Sequence, residues 1–542
     1  MSEIVNLSID GQNVQVPKGT LLIEAAKTVG IQIPHYCYHP GVSVVGSCRM
    51  CLVEIEKNPK LQPSCATPVA EGMVVRTHTP EVLKNRRFVL EFLLANHPLD
   101  CPVCDQSGEC ELQNYYMAHG LYDTRFNENK TKRKKATPIG QYIILDQERC
   151  VLCTRCVRFT REITKTGELG VIDRGHRSEI DVLPGFELDN AYTGNLADIC
   201  PVGALTDKDF RFKCRVWFLG SAPSVCPGCS RGCNINIHFN QRFNPRYHDQ
   251  RVHRLKPRYN KEVNGHWICD EGRYAYHSID APDRLKLPQI KKTGGFQEAS
   301  WSEAVRETAA HIKSALDASG PQAVAMLASP QMTNEELFCV RRHFKERLGI
   351  TNIGTKAPCR EAVYSDDFLI TADRNPNSRG AGVLLPPGPG IDSILRQCIE
   401  GRIRLLYIFR YDLMRGFDAE FVREALRKVE CVVFQGSWDQ PTAALAHIQL
   451  PAAAYAEKEG TFTNIDGRVQ RFCEAVPPLG ESLPDLEIFA RLAAELDIPS
   501  AGSSAASVFE AIGQEVVAFS GITYDTLGGS GQLLKPESGK QE

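Results

Sequence analysis

The stretch ANHPLDCPVCDQSGEC, residues 95–110, sets His97, Cys101, Cys104 and Cys110 within one run broken by proline and glycine. Imidazole and thiolate are both metal donors, and four of them this close form a ligand set rather than a scatter. The chain has 542 residues and 21 cysteines. Sixteen of those cysteines precede residue 270, so the front is cysteine-rich and the rear ordinary. The later ones, Cys339, Cys359, Cys398, Cys431 and Cys473, have no neighbour at ligand spacing. Length alone suggests roughly three or four domains of about 150 residues. A hydrophobic share of 42% is enough to bury a sizeable core. The net charge of -2 argues against general binding to nucleic acid or an anionic membrane. No apolar run of about 18 residues offers a membrane span, and MSEIVNLSID has no secretory pattern. Clustered thiols kept reduced bind metal more often than they form disulfides.

The helix that delivers His97 is PEVLKNRRFVLEFLLANH, with Pro80 in its first turn and Val82, Leu83, Phe88, Val89, Phe92 and Leu93 as the expected buried stripe. The spacing that follows is H-x3-C-x2-C-x5-C. An imidazole in place of one thiolate removes a negative charge, which shifts a cluster's potential. The alternative is that His97 caps the helix and the three thiols hold zinc.

Three further sets of four donors accompany it. Cys37, Cys48, Cys51 and Cys65 follow a hairpin signal at Asp10-Gly11, a helix GTLLIEAAKTVG and strand-like runs CLVEIE and MVVRT. That order matches a small β-grasp ferredoxin holding two irons. The first gap here is ten residues, against four in the plant-type motif, and Gly41 and Gly46 allow the longer loop to fold back. A zinc knuckle is the rival. Cys150, Cys153 and Cys156 in CVLCTRC have the core of the bacterial four-iron ferredoxin motif, with Cys200-Pro201 as the remote fourth ligand. Zinc fits that spacing poorly, and the second triplet of a two-cluster ferredoxin is missing. Cys226, Cys229 and Cys233 in CPGCSRGC join Cys269, with Gly228 and Gly232 allowing backbone N–H groups near the sulfurs. A zinc ribbon is the alternative. Cys214 is left as a buried bystander.

Taken in order, these sixteen donors resemble the large iron–sulfur subunit of respiratory complex I, the G-subunit family of NADH–quinone oxidoreductase. The likeness runs motif by motif to about residue 275 and more loosely to about 475, through YAEKEGTFTNIDGRVQRF. It implies one [2Fe–2S] cluster on Cys37/48/51/65 and [4Fe–4S] clusters on His97/Cys101/104/110, Cys150/153/156/200 and Cys226/229/233/269. It also implies an electron-transfer role between NADH/FMN subunits and a ferredoxin-like subunit leading to quinone. The resemblance further implies that the whole complex pumps protons and that this chain is peripheral on the cytoplasmic face of the inner membrane. The fourth cluster lies off the main path in this reading.

The rear reads as α/β. QAVAMLAS, RLLYIF and CVVFQG have the composition of buried parallel strands. SWSEAVRETAAHIKSAL is an amphipathic helix with Ser302 as cap candidate and Glu303 in its first turn. This half resembles the molybdopterin oxidoreductases, shortened at its end. Cys359 falls near their metal position, yet its surroundings do not match, so a scaffold without molybdopterin is expected. The fold class is therefore multidomain α+β and α/β. The expected domains are 1–78 (β-grasp), 79–140 (the histidine-and-cysteine cluster domain), 141–215 (ferredoxin-like), 216–275 (a further four-iron domain), 276–500 (truncated molybdopterin-like) and 501–542, a flexible tail. The basic run 127–138 reads as a solvated loop or a contact for an acidic subunit. No G-x-G-x-x-G or P-loop is present, and PPGPGID is no substitute, so neither NADH oxidation nor flavin binding is expected of this chain. The alternatives are a subunit of an NAD-linked formate dehydrogenase, an iron-only hydrogenase or a zinc-bearing scaffold.

Overall fold

The structure is a computed structural model that describes residues 3–121, 123–241, 250–355, 364–385, 388–502 and 504–536. Cys359 and part of PPGPGID lie outside the described residues. The chain forms two compact units, Met1–Leu219 and Gly220–Glu542.

In the first unit, Ile4–Ile9 and Gln12–Pro17 form the expected hairpin. Asp10 and Gly11 both have positive φ, 48° and 81°, as a two-residue turn with the twist of the strands requires. Val5, Leu7 and Ile9 alternate inward over the Leu22–Thr28 helix. Ile4–Ile9 also pairs in parallel with Met73–Arg76, which continues to Leu52–Ile55 and Gln62–Pro63 in a five-stranded sheet. The Pro80–Asn96 helix starts at Thr79, whose side chain accepts from Val82 N. Its buried face is Val82, Arg86 and Leu90, whereas Phe88 and Phe92 are exposed. The expected stripe is thus corrected. The helix is apolar on more than one side, and Arg86 is drawn inward because its Nη2 donates to the Thr77 carbonyl at 2.8 Å. Further along this unit, a short Arg155–Arg158 helix runs on as a wider turn, Phe159–Ile163. Beside it stands a three-stranded sheet of Leu205–Asp207, Ile143–Leu145 and Thr137–Ile139.

The basic run is not simply solvated. Lys130 Nζ donates to the carbonyls of Leu94 (2.6 Å) and Ala95 (3.1 Å), closing the last turn before His97. Arg133 donates to the carbonyls of His176 and Ser178, and Lys135 pairs with Asp100 and Glu148. Charge density alone did not reveal that these cations have partners within the chain.

The second unit opens with a three-stranded sheet, Leu219–Val225, Asn234–Asn240 and Val252–Pro257. Its core is a seven-stranded sheet in which Val324–Ala328, Leu405–Phe409, Cys431–Gly436 and Ile448–Pro451 run parallel, as their composition predicts. The Trp301–Ser319 helix is capped by Ser300, which accepts from Glu303 N at 3.2 Å, not by Ser302. Placing the cap one residue before Trp301 turns Trp301, Ala304 and Val305 toward the core. The segment expected to be a flexible tail is packed for most of its length. Ala505–Glu515 is a helix that buries Val508, Phe509 and Ile512, and Gln532–Leu533 pairs with Arg468–Phe472. Gly and Ser flank an apolar helix here, and their abundance masked it. Residues 537–542 lie outside the described residues.

Candidate iron–sulfur centres

Each of the four donor sets is brought together, although none is contiguous in sequence. Cys37, Cys51 and Cys65 are buried and Cys48 half-buried. Interaction between neighbouring thiols of this set pulls Cys37 down and pushes Cys48 and Cys65 up. Of the two glycines in this loop, only Gly46 takes a positive φ, 62°.

His97 ends the Pro80–Asn96 helix, Cys101 begins a single turn, and Cys110 begins the Glu111–His119 helix. With Cys104, Arg149 and Gly203 they line one pocket, in which Cys101 is the exposed thiol. Burial pushes the Cys110 thiol up, and the nearby amides of Gln113 and Leu112 act against that. Burial, then Arg149 and Lys130, lowers His97 to about 4, which leaves a neutral imidazole able to ligate. Asp100 holds Arg149 (2.9 Å) and Lys135 (2.5 Å) beside the site.

Cys150, Cys153, Cys156 and Cys200 line a second pocket with Leu145, Ile180 and other apolar side chains. Leu152 (φ 49°) and Thr154 (φ 58°) are left-handed, an uncommon conformation for non-glycine residues. It curls the loop so that Leu152 N donates to Cys150 Sγ at 3.4 Å. Burial pushes the free thiols of Cys150 and Cys153 up to about 12, so a bound metal must displace their protons.

Cys226, Cys229, Cys233 and Cys269 are all buried in the second unit. Gly272 N donates to Cys269 Sγ at 3.3 Å. A Cβ on Gly272 would lie 3.0 Å from Cys226 Sγ. A Cβ on Gly228 would lie 3.5 Å from Cys226 Sγ, while Gly232 serves as a left-handed bend, φ 62°.

Among the described residues, no three His, Cys, Asp or Glu side chains are spaced for a single metal ion. The His97 and Cys150 sets line pockets, and the thiol and imidazole chemistry of all four sets fits iron–sulfur cores. Tyr36 Oη and Tyr455 Oη are buried with no hydrogen-bond partner, Tyr36 within electrostatic reach of Cys48 and Cys110, and Tyr455 of Cys226. A cluster sulfur is an acceptor for such a hydroxyl.

Two connections inside the first unit were not legible from spacing. Arg158 Nη2 donates to the carbonyls of Cys37 (2.6 Å) and Cys153 (3.0 Å), joining the β-grasp and ferredoxin-like sets. Glu111 N donates to the Pro201 carbonyl at 3.1 Å, so the residue after Cys110 bonds the residue after Cys200. A Cβ on Gly203 would collide with Cys104 Sγ, so the Cys200 loop also packs directly on the His97 set. Arg149 lies on one cavity's lining while its neighbour Cys150 lies on the other's. Glycine and arginine beside the candidate cysteines were the available signal.

Residues 86–125 match the NADH-ubiquinone oxidoreductase-G iron-sulfur binding region. Residues 2–80 match the 2Fe-2S iron-sulfur cluster binding domain, and 140–206 the NADH-quinone oxidoreductase subunit 3 ferredoxin-like domain. The G-subunit of NADH-quinone oxidoreductase from Rickettsia felis is 31% identical over 91% of this chain and 88% of that protein. The chain belongs to the G-subunit family of NADH-quinone oxidoreductase. The G-subunit of Streptomyces coelicolor is 38% identical over 70% of this chain and 45% of its own length. The mitochondrial 78 kDa subunit of Neurospora crassa NADH-ubiquinone oxidoreductase is 41% identical over 65% of this chain and 46% of that one. A chain from the crystal structure of an NAD+-reducing [NiFe]-hydrogenase is 34% identical over 39% of this chain and 91% of its own, at a TM-score of 0.36. In this member of the G-subunit family, residues 220–281 match the molybdopterin oxidoreductase Fe4S4 domain, and 284–375 with 374–495 the molybdopterin oxidoreductase model. Each of the four cluster-type matches contains one complete donor set.

Proposed function

We propose that this chain is the iron–sulfur conductor of a NADH–quinone oxidoreductase, with one [2Fe–2S] cluster on Cys37, Cys48, Cys51 and Cys65. Three [4Fe–4S] clusters are assigned to His97/Cys101/Cys104/Cys110, Cys150/Cys153/Cys156/Cys200 and Cys226/Cys229/Cys233/Cys269. The observation that supports this reading is that the fold gathers each donor set, the His97 and Cys150 sets around pockets, with Leu152 N and Gly272 N donating to the Cys150 and Cys269 sulfurs. Such clusters, when bound, supply one-electron redox chemistry at potentials set by ligand, charge and hydrogen bonding. The protein's part is to exclude water, fix the donors and place amides and cations around them.

The three sets of the first unit are tied to one another by Arg158 and by the Glu111–Pro201 bond. That favours a short relay in which the ferredoxin-like site meets both neighbours. The Cys226–Cys269 set belongs to the other unit and is proposed to lie off this relay. Flavin-bearing and quinone-side subunits, proton translocation by the assembly and a peripheral place at the cytoplasmic face of the membrane are proposed from the family. No described helix is long and apolar enough to cross a membrane.

The rear domain is proposed as a scaffold without molybdopterin. At the carboxyl ends of its central strands, where open α/β sheets take ligands, Arg410 pairs with Asp485, and Lys458 with Glu336 (2.5 Å) and Asp485 (2.9 Å), with none of these side chains more than 8% exposed. Charges that could grip a pterin pyrophosphate are already satisfied internally, so the residues present do not fit that cofactor. Low-temperature electron paramagnetic resonance of the NADH-reduced complex tests the relay. Cys153→Ser is expected to remove one four-iron signal and stop flux to quinone, whereas Cys229→Ser leaves flux intact. Flux surviving Cys153→Ser, or lost in an assembled Cys229→Ser complex, overturns it.

A further inference from the structure

Arg158 is buried, 8% exposed. Its Nη2 donates to the carbonyls of Cys37 and Cys153, its Nη1 to the Ser43 carbonyl, and its Nε to the Thr154 carbonyl at 3.2 Å. Every one of these acceptors is a neutral backbone oxygen, none a carboxylate. A guanidinium out of water is costly without an anion close by. What lies on either side of it is two sets of four thiols, one containing Cys37 and one Cys153. Four thiolates around an iron–sulfide core leave that core net anionic, and two such cores supply the missing compensation from both directions. The loop is gripped a second time, since Glu162 accepts from Ser43 N at 2.8 Å and Ser43 Oγ at 2.5 Å. Both grips come from the Arg155–Arg158 helix and its Phe159–Ile163 extension, and local widening of a helix to i→i+5 bonding is common at functional positions.

We propose that Arg158 is a positioning residue shared by two redox sites. It clamps the 37–48 loop against the 150–156 loop, and its fixed positive charge raises the reduction potential at both sites together. The inference rests on the cluster assignment above. An electron leaving one site and entering the other takes no proton with it. Arg158 keeps its charge throughout, so it biases both half-reactions without taking part in either. Reduction adds negative charge to a core, and a cation in a water-poor interior favours that state more than it would in solvent.

The test is a potentiometric titration of the assembled complex, following the two-iron and ferredoxin-like four-iron signals by paramagnetic resonance. Iron content is measured beside it. Arg158→Gln is expected to lower both midpoints together, and Arg158→Lys to restore them because the charge remains. Ser43→Ala loosens the same loop without changing charge and is expected to leave both midpoints in place. The proposal is overturned if Arg158→Gln moves neither midpoint or only one, or if Ser43→Ala moves both equally far. Should Arg158→Gln lose a cluster, Arg158→Lys decides: wild-type midpoints uphold the proposal and displaced ones overturn it. A wild-type complex lacking these two signals would instead refute the cluster assignment.

Discussion

His97 is the one imidazole among sixteen proposed donors, and its environment holds it neutral. His97→Cys is expected to keep four irons at that site while lowering its midpoint, because a thiolate adds negative charge. A titration showing an unmoved midpoint would mean that His97 is not a ligand. Gly203 tests the same site from the neighbouring loop. Gly203→Ala pushes a methyl into Cys104 Sγ, so iron analysis of the variant is expected to find about four fewer irons. The other three cluster signals should be retained. Residue types and spacing made the four candidate donor sets legible as groups, since the clustering within CVLCTRC or CPGCSRGC is a local matter. Arg149, Arg158, Gly203 and Gly272 were not legible, because each acts on a cysteine brought near by the fold rather than by the chain.

Elements with one strong local signal came through clearly: the Asp10-Gly11 hairpin, and the β-branched strands of the rear sheet. Those with two competing signals did not. The 80–96 helix is apolar around most of its circumference, and only the packed structure shows that Arg86, not Phe88, turns inward. The segment after residue 500 failed for the opposite reason, because glycine and serine obscured Val508, Phe509 and Ile512. Phe509 is 1% exposed in the rear core. Phe509→Ala is expected to destabilise the second unit by about 3–5 kcal/mol. Unchanged denaturant unfolding would return that segment to the status of a tail.

At the scale of the whole molecule, the second unit depends on buried charges that respond to pH in opposite directions. Burial opposes ionisation of Asp485 and Glu457, but Arg410 and Lys458 for the first, and Arg284 and Arg251 for the second, more than offset it. Both carboxyls sit below their ordinary range, so their contribution is full above about pH 4 and is lost as pH falls further. Glu335 behaves inversely. Burial pushes it up to about 7 despite bonds from Thr461 and Tyr524. The folded state therefore holds a proton that the unfolded state releases above about pH 4.3, and stability declines as pH rises through 7. Glu335→Gln is expected to flatten that decline in unfolding measurements from pH 5 to 8. An equally steep loss in the variant would place its origin elsewhere. Lys458→Met leaves Glu336 and Asp485 short of a cation and is expected to cost about 3–5 kcal/mol.

The account as a whole stands on inorganic clusters held by this chain. Iron, zinc and acid-labile sulfide measured on the purified protein test that most directly. The account predicts about 14 irons per chain with matching sulfide; stoichiometric zinc without labile sulfide would contradict it.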